Sequence, residues 1–300
     1  MPELTPFLLN FPNGLHIGTR GLNLEESGLG IPSDSLFAAI LDVCSRRGKN
    51  IDAFMAPFEA TPPSPPFLLS SAFPFAGRLR FYPLPVDLTR LFSRKIIKDY
   101  HRELKRLRYF SEALLLKMLS GKPLEADLFP QDETLKHDKG IALQGGSLWA
   151  TTDEIDYLPK RMRYPKEKCG ALRHINIWSQ QTLPRVTIDR LTSSSNIYQA
   201  GRVSFAPECG LWFAISWHSP DQKVGQGEQT YQETLGEALA WLQDDGLGGE
   251  RSTGYGAFTF QTAEPISLPE SRPAELTYLL SRYHPRQEEL PTSLSAPGST

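Results

Sequence analysis

The stretch Gly246-Leu247-Gly248-Gly249-Glu250-Arg251-Ser252-Thr253-Gly254-Tyr255-Gly256 decides how the chain is interpreted, because five of its eleven residues are glycine. A simple turn needs one or two glycines, since each costs backbone entropy on folding. Five in one loop indicate a backbone that lies close to another group. That group is either a phosphate backbone or a neighbouring element of the protein. The run also contains the guanidinium of Arg251 and the hydroxyl groups of Ser252 and Thr253.

The sequences on either side predict that this glycine-rich loop (residues 246–256) joins a helix to a strand. Upstream, Thr234 and Glu237 have the spacing of a capping box, and apolar residues recur at helical intervals up to Leu242. Downstream, residues 257–261 alternate as in a strand. Nucleotide-binding loops run from strand to helix instead, because a helix N-terminus holds the phosphate. The order therefore favours an extended polyanion on the loop over a buried nucleotide.

Composition and charge limit the other possibilities. With 300 residues, 40% of them apolar, the chain is long enough for one large or two ordinary domains with a substantial core. The formal net charge is −2, so any nucleic-acid site has to be local. Three widely spaced cysteines favour a reduced, cytoplasmic setting over a disulfide framework or a zinc site. No run resembles a signal peptide or a membrane span, so we expect no membrane partner.

The first 180 residues are predicted to begin as an α+β unit. Strand-like residues 6–17 precede a helix with Ser33 as its N-cap, which ends near Gly48. Short strands with rigid connections are predicted within the proline-rich residues 57–85. This order of elements is the start of a ferredoxin-like domain.

Charge alternates in blocks along the middle of the chain. Residues 88–119 show the clearest long helical periodicity, and residues 90–108 within them have a net charge of +6. That basic helix suits either a solvated face or a face turned to a polyanion or a protein partner. Residues 121–158 are acidic and weakly periodic, which predicts an insertion. Residues 160–174 have a net charge of +5 with aromatic residues beside them, as in an RNA contact or an ordinary loop.

The rest of the chain is strand-rich up to a polar tail. Three segments are predicted strands: residues 185–190, 197–205 and 211–217. Residues 284–300 are predicted to be disordered. We therefore expect an α+β fold of two ferredoxin-like (RRM-like) domains, 1–180 with the basic helix and a thumb or insertion, and 181–283 with the glycine-rich loop.

Four stretches, in this order, resemble the RAMP superfamily of type III CRISPR effector complexes. They are residues 15–18 with 33–40, residues 71–75 with 82–85, residues 184–190 running into 197–198, and the glycine-rich loop. Within the superfamily the chain is most similar to the family of fourth subunits of the type III-A (Csm) complex, and the sibling family of type III-B complexes is a close competitor. The sequence departs from the pattern near its end, where further strands and another glycine-containing segment are expected.

This resemblance implies a non-catalytic subunit that binds the 5′ handle of the CRISPR RNA. It also implies contacts with the large polymerase/cyclase-like subunit and with the adjacent backbone RAMP subunit, and a thumb near the target RNA. No cofactor and no metal ion are implied. The residues expected to bind RNA are His16, Arg20, Ser33, Arg173, Arg190, Gly248, Gly249, Arg251, Ser252, Gly254 and Tyr255.

Two other classes of function stay open. A metal-independent endoribonuclease that processes guide RNA would use His16 as general acid or base, whereas a lone histidine in that position also suits a structural hydrogen bond or a phosphate contact. A small-molecule enzyme on a ferredoxin-like fold would need a closed apolar pocket rather than a basic groove. The sequence contains no HExxH, Gly-x-Ser-x-Gly or Walker motif. Asp244 and Asp245, at a predicted helix end, suit a cation site or an exposed acidic end.

Overall fold

The computed structural model describes residues 3–18, 27–129, 140–163, 174–188, 195–269, 277–285 and 288–290. The strands within these residues are β1 (Glu3–Asn10), β2 (Phe67–Leu69), β3 (Phe73–Ala76), β4 (Leu79–Pro83), β5 (Tyr109–Ser111), β6 (Ile141–Leu143), β7 (Leu148–Ala150), β8 (Trp178–Ile188), β9 (Ser195–Phe205), β10 (Cys209–Trp217), β11 (Thr259–Thr262) and β12 (Ile266–Ser267). The α-helices are α1 (Ser33–Arg46), α2 (Ile51–Glu59), α3 (Arg94–Asp99), α4 (His101–Arg106), α5 (Glu112–Leu119), α6 (Glu125–Leu128) and α7 (Tyr231–Asp245).

Ten of these strands form one mixed sheet in the order β11-β1-β10-β3-β4-β5-β7-β6, with β12 beside β1 and β2 beside β10. The pairs are antiparallel except for β5 with β7. Strands β8 and β9 pair separately as a long antiparallel hairpin. The α+β class predicted from the sequence is confirmed.

Two strand–helix–strand units are interleaved in the first half of this sheet. The segments β1–α1–β3 and β10–α7–β11 place β1 between β11 and β10, and β10 between β1 and β3. The two ferredoxin-like domains expected from the sequence stay a prediction, and the strand order observed here matches that of one ferredoxin-like unit. Its strands come from both sides of the expected domain boundary at residue 180, and the division into domains 1–180 and 181–283 stays a prediction.

The sheet is covered on both faces, because successive side chains of a strand point to opposite sides. Leu9 of β1 and Phe213 of β10 belong to the core under α1 and α7, where Leu36 and Leu239 are buried with them. Their sequence neighbours in β1 and β10 belong to a second core on the other face. Burying a side chain of this size contributes about 1.5–3 kcal/mol, so both faces stabilise the sheet.

The prediction of one long basic helix over residues 88–119 is wrong. The helical conformation is interrupted at Tyr100 (φ −111°, ψ 28°) and ends at Leu107 (φ −61°, ψ 126°), which separates α3 from α4 and α4 from β5. Strand β5 then pairs with β4 and β7. Sheet pairing therefore overrides a local helical pattern, since intrinsic preference is a weak prior. The acidic segment predicted as an insertion likewise contributes β6 and β7 to the sheet.

The helix before the glycine-rich loop begins one turn earlier than predicted. Thr230 is its N-cap and forms the capping box with Glu233, so Thr234 and Glu237 lie inside α7. Gly246 ends the helix with φ 77°, as predicted. The loop joins α7 to β11, so the helix–loop–strand order is confirmed.

The predicted N-cap of α1 is displaced by one residue. Pro32 occupies the N-cap position and Ser33 is the first helical residue. The Ser33 hydroxyl accepts a hydrogen bond from the backbone N–H of Arg282 at 3.1 Å. In the segment predicted to be disordered, residues 284–285 and 288–290 are described, and the rest lies outside the described residues.

Candidate nucleic-acid interface

The glycine-rich loop closes on itself and lies against the segment that follows β1. The Leu247 N–H donates to the carbonyl oxygen of Gly256, and the Gly256 N–H donates to that of Gly14, both at 2.9 Å. The Gly249 N–H donates to the carbonyl oxygen of His16 at 2.8 Å. These amides are therefore already hydrogen-bonded within the protein.

Close backbone approach explains two of the glycines. A Cβ atom on Gly248 would lie 2.2 Å from the carbonyl oxygen of His16, and one on Gly256 would lie 2.0 Å from that of Leu247. Both glycines have positive φ angles, 86° and 79°, which L-residues rarely adopt. Of the two alternatives left open by the sequence, the neighbouring element of the protein accounts for these positions.

His16 connects this loop region to the hairpin. Its side chain is 3% exposed, and its Nδ1 lies 2.7 Å from the carbonyl oxygen of Gly201 in β9. Since a carbonyl only accepts, Nδ1 is the donor. Leu15 and Val203 exchange backbone hydrogen bonds beside it, each 2.8 Å long. A general base has to reach its substrate, so this buried position favours the structural hydrogen bond over catalysis.

Two arginines of the hairpin lie over the ring of Tyr255. The guanidinium carbons of Arg185 and Arg202 are 4.8 Å and 5.4 Å from the ring centroid. The hairpin register pairs Arg185 with Tyr198, which places Arg185 and Arg202 on the same face of the hairpin. We call Arg185, Arg202 and Tyr255 the arginine–tyrosine stack.

The polar atoms of this stack are not satisfied within the described part of the protein. The Nε atoms of Arg185 and Arg202 and the hydroxyl of Tyr255 are buried without a hydrogen-bond partner. Neither arginine forms an ion pair with an acidic side chain that the structure describes. The nearby carboxylate of Glu250 instead accepts from the Tyr198 hydroxyl at 3.2 Å. Since these atoms are buried, an anion would have to contact the outer guanidinium nitrogens of the two half-buried arginines. Their charge, which no described carboxylate compensates, suits such an anion.

The remaining residues expected to bind RNA are spread around this stack and beyond it. Arg251 and Ser252 are exposed in the short 3₁₀ turn at the tip of the glycine-rich loop, and Gly254 (φ 87°) ends that turn. Ser33 is buried at the start of α1. Three further residues, Arg20, Arg173 and Arg190, lie outside the described residues.

Sequence reasoning did not include Arg185 and Arg202 in the site. Both lie in segments whose alternation predicted strands, and the signal that could have found them is the register of the hairpin. Two arginines on one face of a hairpin form a local positive patch even when the net charge of the whole chain is near zero.

Other features of the described residues bear on the alternative functions. No group of His, Cys, Asp and Glu among them is arranged to hold a metal ion, and no helix among them is long and apolar enough to cross a membrane. The carboxylate of Asp245 pairs with Arg46 at 2.8 Å. A cavity of about 1210 Å³ contains the Arg80–Glu112 ion pair and opens to solvent, unlike the closed apolar pocket of a small-molecule enzyme.

Comparisons with known proteins identify the fold. No protein-family model and no curated protein sequence matches the chain. A chain of the crystal structure of the Csm3–Csm4 subcomplex of the type III-A CRISPR-Cas interference complex matches with a TM-score of 0.50 and 16% identity, over 90% of this chain and 70% of that one. A chain of the Csm1–Csm4 cassette in complex with cA4 matches with a TM-score of 0.50 and 15% identity, over 90% and 73%. Csm4 is common to both complexes, and the chain has the fold of Csm4-like RAMP subunits, as the resemblance in the sequence implied.

Proposed function

We propose that this protein is a non-catalytic scaffold subunit of a type III CRISPR effector complex that binds the 5′ handle of the CRISPR RNA. The fold supports this proposal, and the arginine–tyrosine stack is the observation that carries it. Arginine binds phosphate oxygens through a planar fork of N–H donors. Two arginines without a carboxylate partner among the described residues, together with the exposed Arg251 of the glycine-rich loop, suit a phosphodiester backbone.

The role of the glycine-rich loop in this proposal is to hold the stack. Tyr255 is 4% exposed, so its ring is covered by the two guanidinium groups and is not free for a nucleobase. The ring fixes the planes of both arginines, which lowers the entropic cost of ordering them on RNA. Arg251, at the exposed tip of the loop, would add a third contact. Ser252 and Gly254 in the same turn would bring the loop backbone close to that RNA. Gly248 and Gly249 pack against His16 and would support the loop from behind.

The rest of the proposal concerns assembly. The two similar structures contain Csm4 with Csm3 or with Csm1, and we propose corresponding contacts here with an adjacent backbone RAMP subunit and with a large polymerase/cyclase-like subunit. Such an assembly would act in the cytoplasm. Strands β4 to β7 with α5 are the candidate for a second RRM-like unit, because β5 and β7 are parallel and α5 lies between them in the chain.

The hairpin β8–β9 is the candidate for the thumb near the target RNA. Val186 and Ile197 form a cross-strand pair in it, and their side chains are 56% and 68% exposed. Exposed apolar side chains on this hairpin are available to contact bases or a partner protein. The endoribonuclease alternative is less well supported, since His16 is buried and bonded to Gly201.

Binding of labelled repeat RNA to the purified protein tests the proposal. We expect Arg185→Ala and Arg202→Ala each to weaken binding about tenfold, and each to reduce the slope of log K against log salt by about 0.7, the value for one phosphate contact on a single strand. Arg78→Ala is the matched control, since it removes a guanidinium 5.0 Å from the ring of Tyr157, elsewhere in the fold. Equal affinities for the two site variants and this control would contradict the proposal.

Denaturing gels of the RNA from the same binding reactions show whether the RNA has been cut, and so distinguish a scaffold subunit from an endoribonuclease. A scaffold subunit shifts the RNA and leaves it intact. Cleavage by the wild-type protein that disappears in His16→Gln would instead support metal-independent guide processing with His16 as acid or base.

A further inference from the structure

A second concentration of positive charge surrounds a concave pocket of about 730 Å³ on the other half of the sheet. One wall is helix α4 with the residues that follow it, and the other is the turn at residues 144–147. The basic residues that line it are His101, Arg102, Lys105, Arg106 and Arg108. We call it the α4 pocket. None of the eleven residues named from the sequence as RNA contacts lies in it, but its basic residues belong to the segment 90–108, for which a face turned to a polyanion was one of the alternatives.

Backbone hydrogen bonds fix the two walls relative to each other. The N–H groups of Arg108 and Tyr109 both donate to the carbonyl oxygen of Ser147, at 2.9 Å and 3.0 Å. The Gln144 side chain secures the turn from behind, since its oxygen accepts from the Ile177 N–H at 2.8 Å and its nitrogen donates to the Trp178 carbonyl at 2.9 Å. The pocket is therefore built on ordered elements rather than on a free loop.

The positive charge of the α4 pocket is not neutralised within the described part of the chain. The five basic side chains are all exposed, and none forms an ion pair with an acidic residue that the structure describes. No acidic residue lines the pocket. Like charges that converge on a concave surface raise the local concentration of anions.

The lining favours a phosphate backbone over a protein partner. Protein interfaces depend on aromatic or aliphatic anchors in desolvated pockets, and no apolar side chain lines the α4 pocket. Three of its four permanently charged residues are arginine, whose guanidinium matches phosphate oxygens. An acidic segment of a partner protein would meet the positive charge of this pocket, but no apolar residue that could anchor it.

The α4 pocket and the arginine–tyrosine stack belong to opposite corners of the sheet. The glycine-rich loop precedes β11, and Arg108 precedes β5, which is five strand spacings away, or about 24 Å at ~4.8 Å per spacing. The intervening pairs are all antiparallel, so β11 and β5 run in opposite directions and begin at opposite ends of the sheet. One phosphate group cannot contact both places.

We propose that the α4 pocket is a second RNA-binding site, which takes the phosphodiester backbone of single-stranded RNA independently of the site at the glycine-rich loop. This inference does not rest on the proposed function, because it needs neither the 5′ handle nor the effector complex. RNA long enough to span the sheet engages both sites. RNA that covers one site leaves the other available.

The test measures binding of fluorescein-labelled oligouridine of about 30 nucleotides, longer than the ~4–16 nucleotides of one single-strand site. We expect Arg102→Ala with Arg106→Ala to weaken binding at least fivefold and to lower the salt slope by about 1.4, the value for two phosphate contacts. Arg94→Ala with Lys95→Ala is the control, since these residues are exposed on the neighbouring helix α3 and do not line the pocket. Both pairs are exposed, so we expect unchanged unfolding temperatures.

Arg185→Ala with Arg202→Ala, measured in parallel, separates the two sites. If only this pair weakens binding, the α4 pocket is not an RNA site and the inference is overturned, while the proposed function is supported. If only the α4 pair weakens binding, the inference is supported and the proposed function fails its own test. Ultraviolet crosslinking of the same RNA gives a second readout: crosslinked peptides from residues 100–108 or 144–147 support the α4 pocket, and their absence together with unchanged affinity overturns it.

Discussion

Gly256 and Gly236 lie on the same helix–loop segment and have opposite requirements. A Cβ atom on Gly256 would meet the Leu247 carbonyl oxygen, and the φ angle of 79° is one that side chains disfavour. Gly236 lies in the middle of α7 and is exposed, and a Cβ atom there would meet nothing within 4 Å apart from its chain neighbours and the backbone of its own helix. The first glycine is needed for the close approach of two backbones, and the second only costs entropy.

Alanine at these two positions should therefore change stability in opposite directions. We expect Gly256→Ala to lower the free energy of unfolding by at least about 2 kcal/mol, because it adds left-handed strain to a steric clash. Gly236→Ala should raise it by about 0.5–1 kcal/mol, since alanine is the better helix former. Urea unfolding followed by circular dichroism measures both. A Gly256→Ala protein as stable as the wild type would show that the loop does not close on itself.

At the scale of elements, a polar network joins the end of α1 to α7. The Lys49 ammonium donates to Gln229 at 2.5 Å and to Glu237 at 2.7 Å, and the Gln229 side chain donates to the other oxygen of Glu237 at 2.6 Å. The hydrogen bond from Lys49 lowers the pKa of Glu237 below its ordinary value of 4.5, against the opposing effect of burial. The network therefore depends on the ionised carboxylate.

The lowered pKa sets the pH dependence of this link. A carboxylate with a lowered pKa in the folded state stabilises the protein above the unfolded pKa, and that stability is lost as the pH falls through the lower, folded pKa. We expect Glu237→Gln to reduce Tm by about 1–2 °C at neutral pH, as for a partly exposed ion pair. The difference from the wild type should shrink as the pH falls below 4.5.

Glu228→Gln is the control for this comparison. Glu228 is exposed, and its carboxylate has no hydrogen bond or ion pair among the interactions of the described residues. A loss of stability in Glu237→Gln that is the same at neutral and acidic pH would show that the ionised carboxylate is not what links the helices. Thermal unfolding across a pH series distinguishes these outcomes.

Elements whose sequence pattern is local could be predicted, and those fixed by distant partners could not. Helix α7, its terminal glycine and the loop that follows were predicted correctly from periodicity and composition. The position of its N-cap was not, because Thr230 with Glu233 and Thr234 with Glu237 have the same capping-box spacing. Packing decides between them: Thr234 is 3% exposed inside the helix, and its hydroxyl donates to the Thr230 carbonyl at 2.8 Å.

The candidate site shows the same limit. Glycine content and charge marked Arg251 and Tyr255, but the arginines over Tyr255 come from a hairpin more than fifty residues earlier in the chain. Their register is that of the β8–β9 pairing, and the bridge between Leu15 and Val203 joins the hairpin to the segment beside the loop. No spacing rule within one segment reports such a contact.

For the whole molecule, β10 is the strand that makes the two halves of the sequence one structure. Residues 209–215 of this strand are all buried. Phe213 belongs to the core on the α1 and α7 face, and Trp212 belongs to the core on the other face. Its neighbours in the sheet, β1 and β3, both come from the first 180 residues. Removing β10 would expose both cores and leave two strands without their common partner.

The sheet order and the predicted domain boundary at residue 180 give opposite expectations for a chain that is split at that residue. Two independent domains would each fold alone. The sheet order predicts instead that residues 1–180, expressed without the rest, show no cooperative thermal transition, and that co-expression with residues 181–300 restores a stable complex. Calorimetry of each fragment and of the co-purified pair measures this. A cooperative transition in the isolated first fragment would support separate domains, and would mean that β1 and β3 do not need β10 to form a sheet.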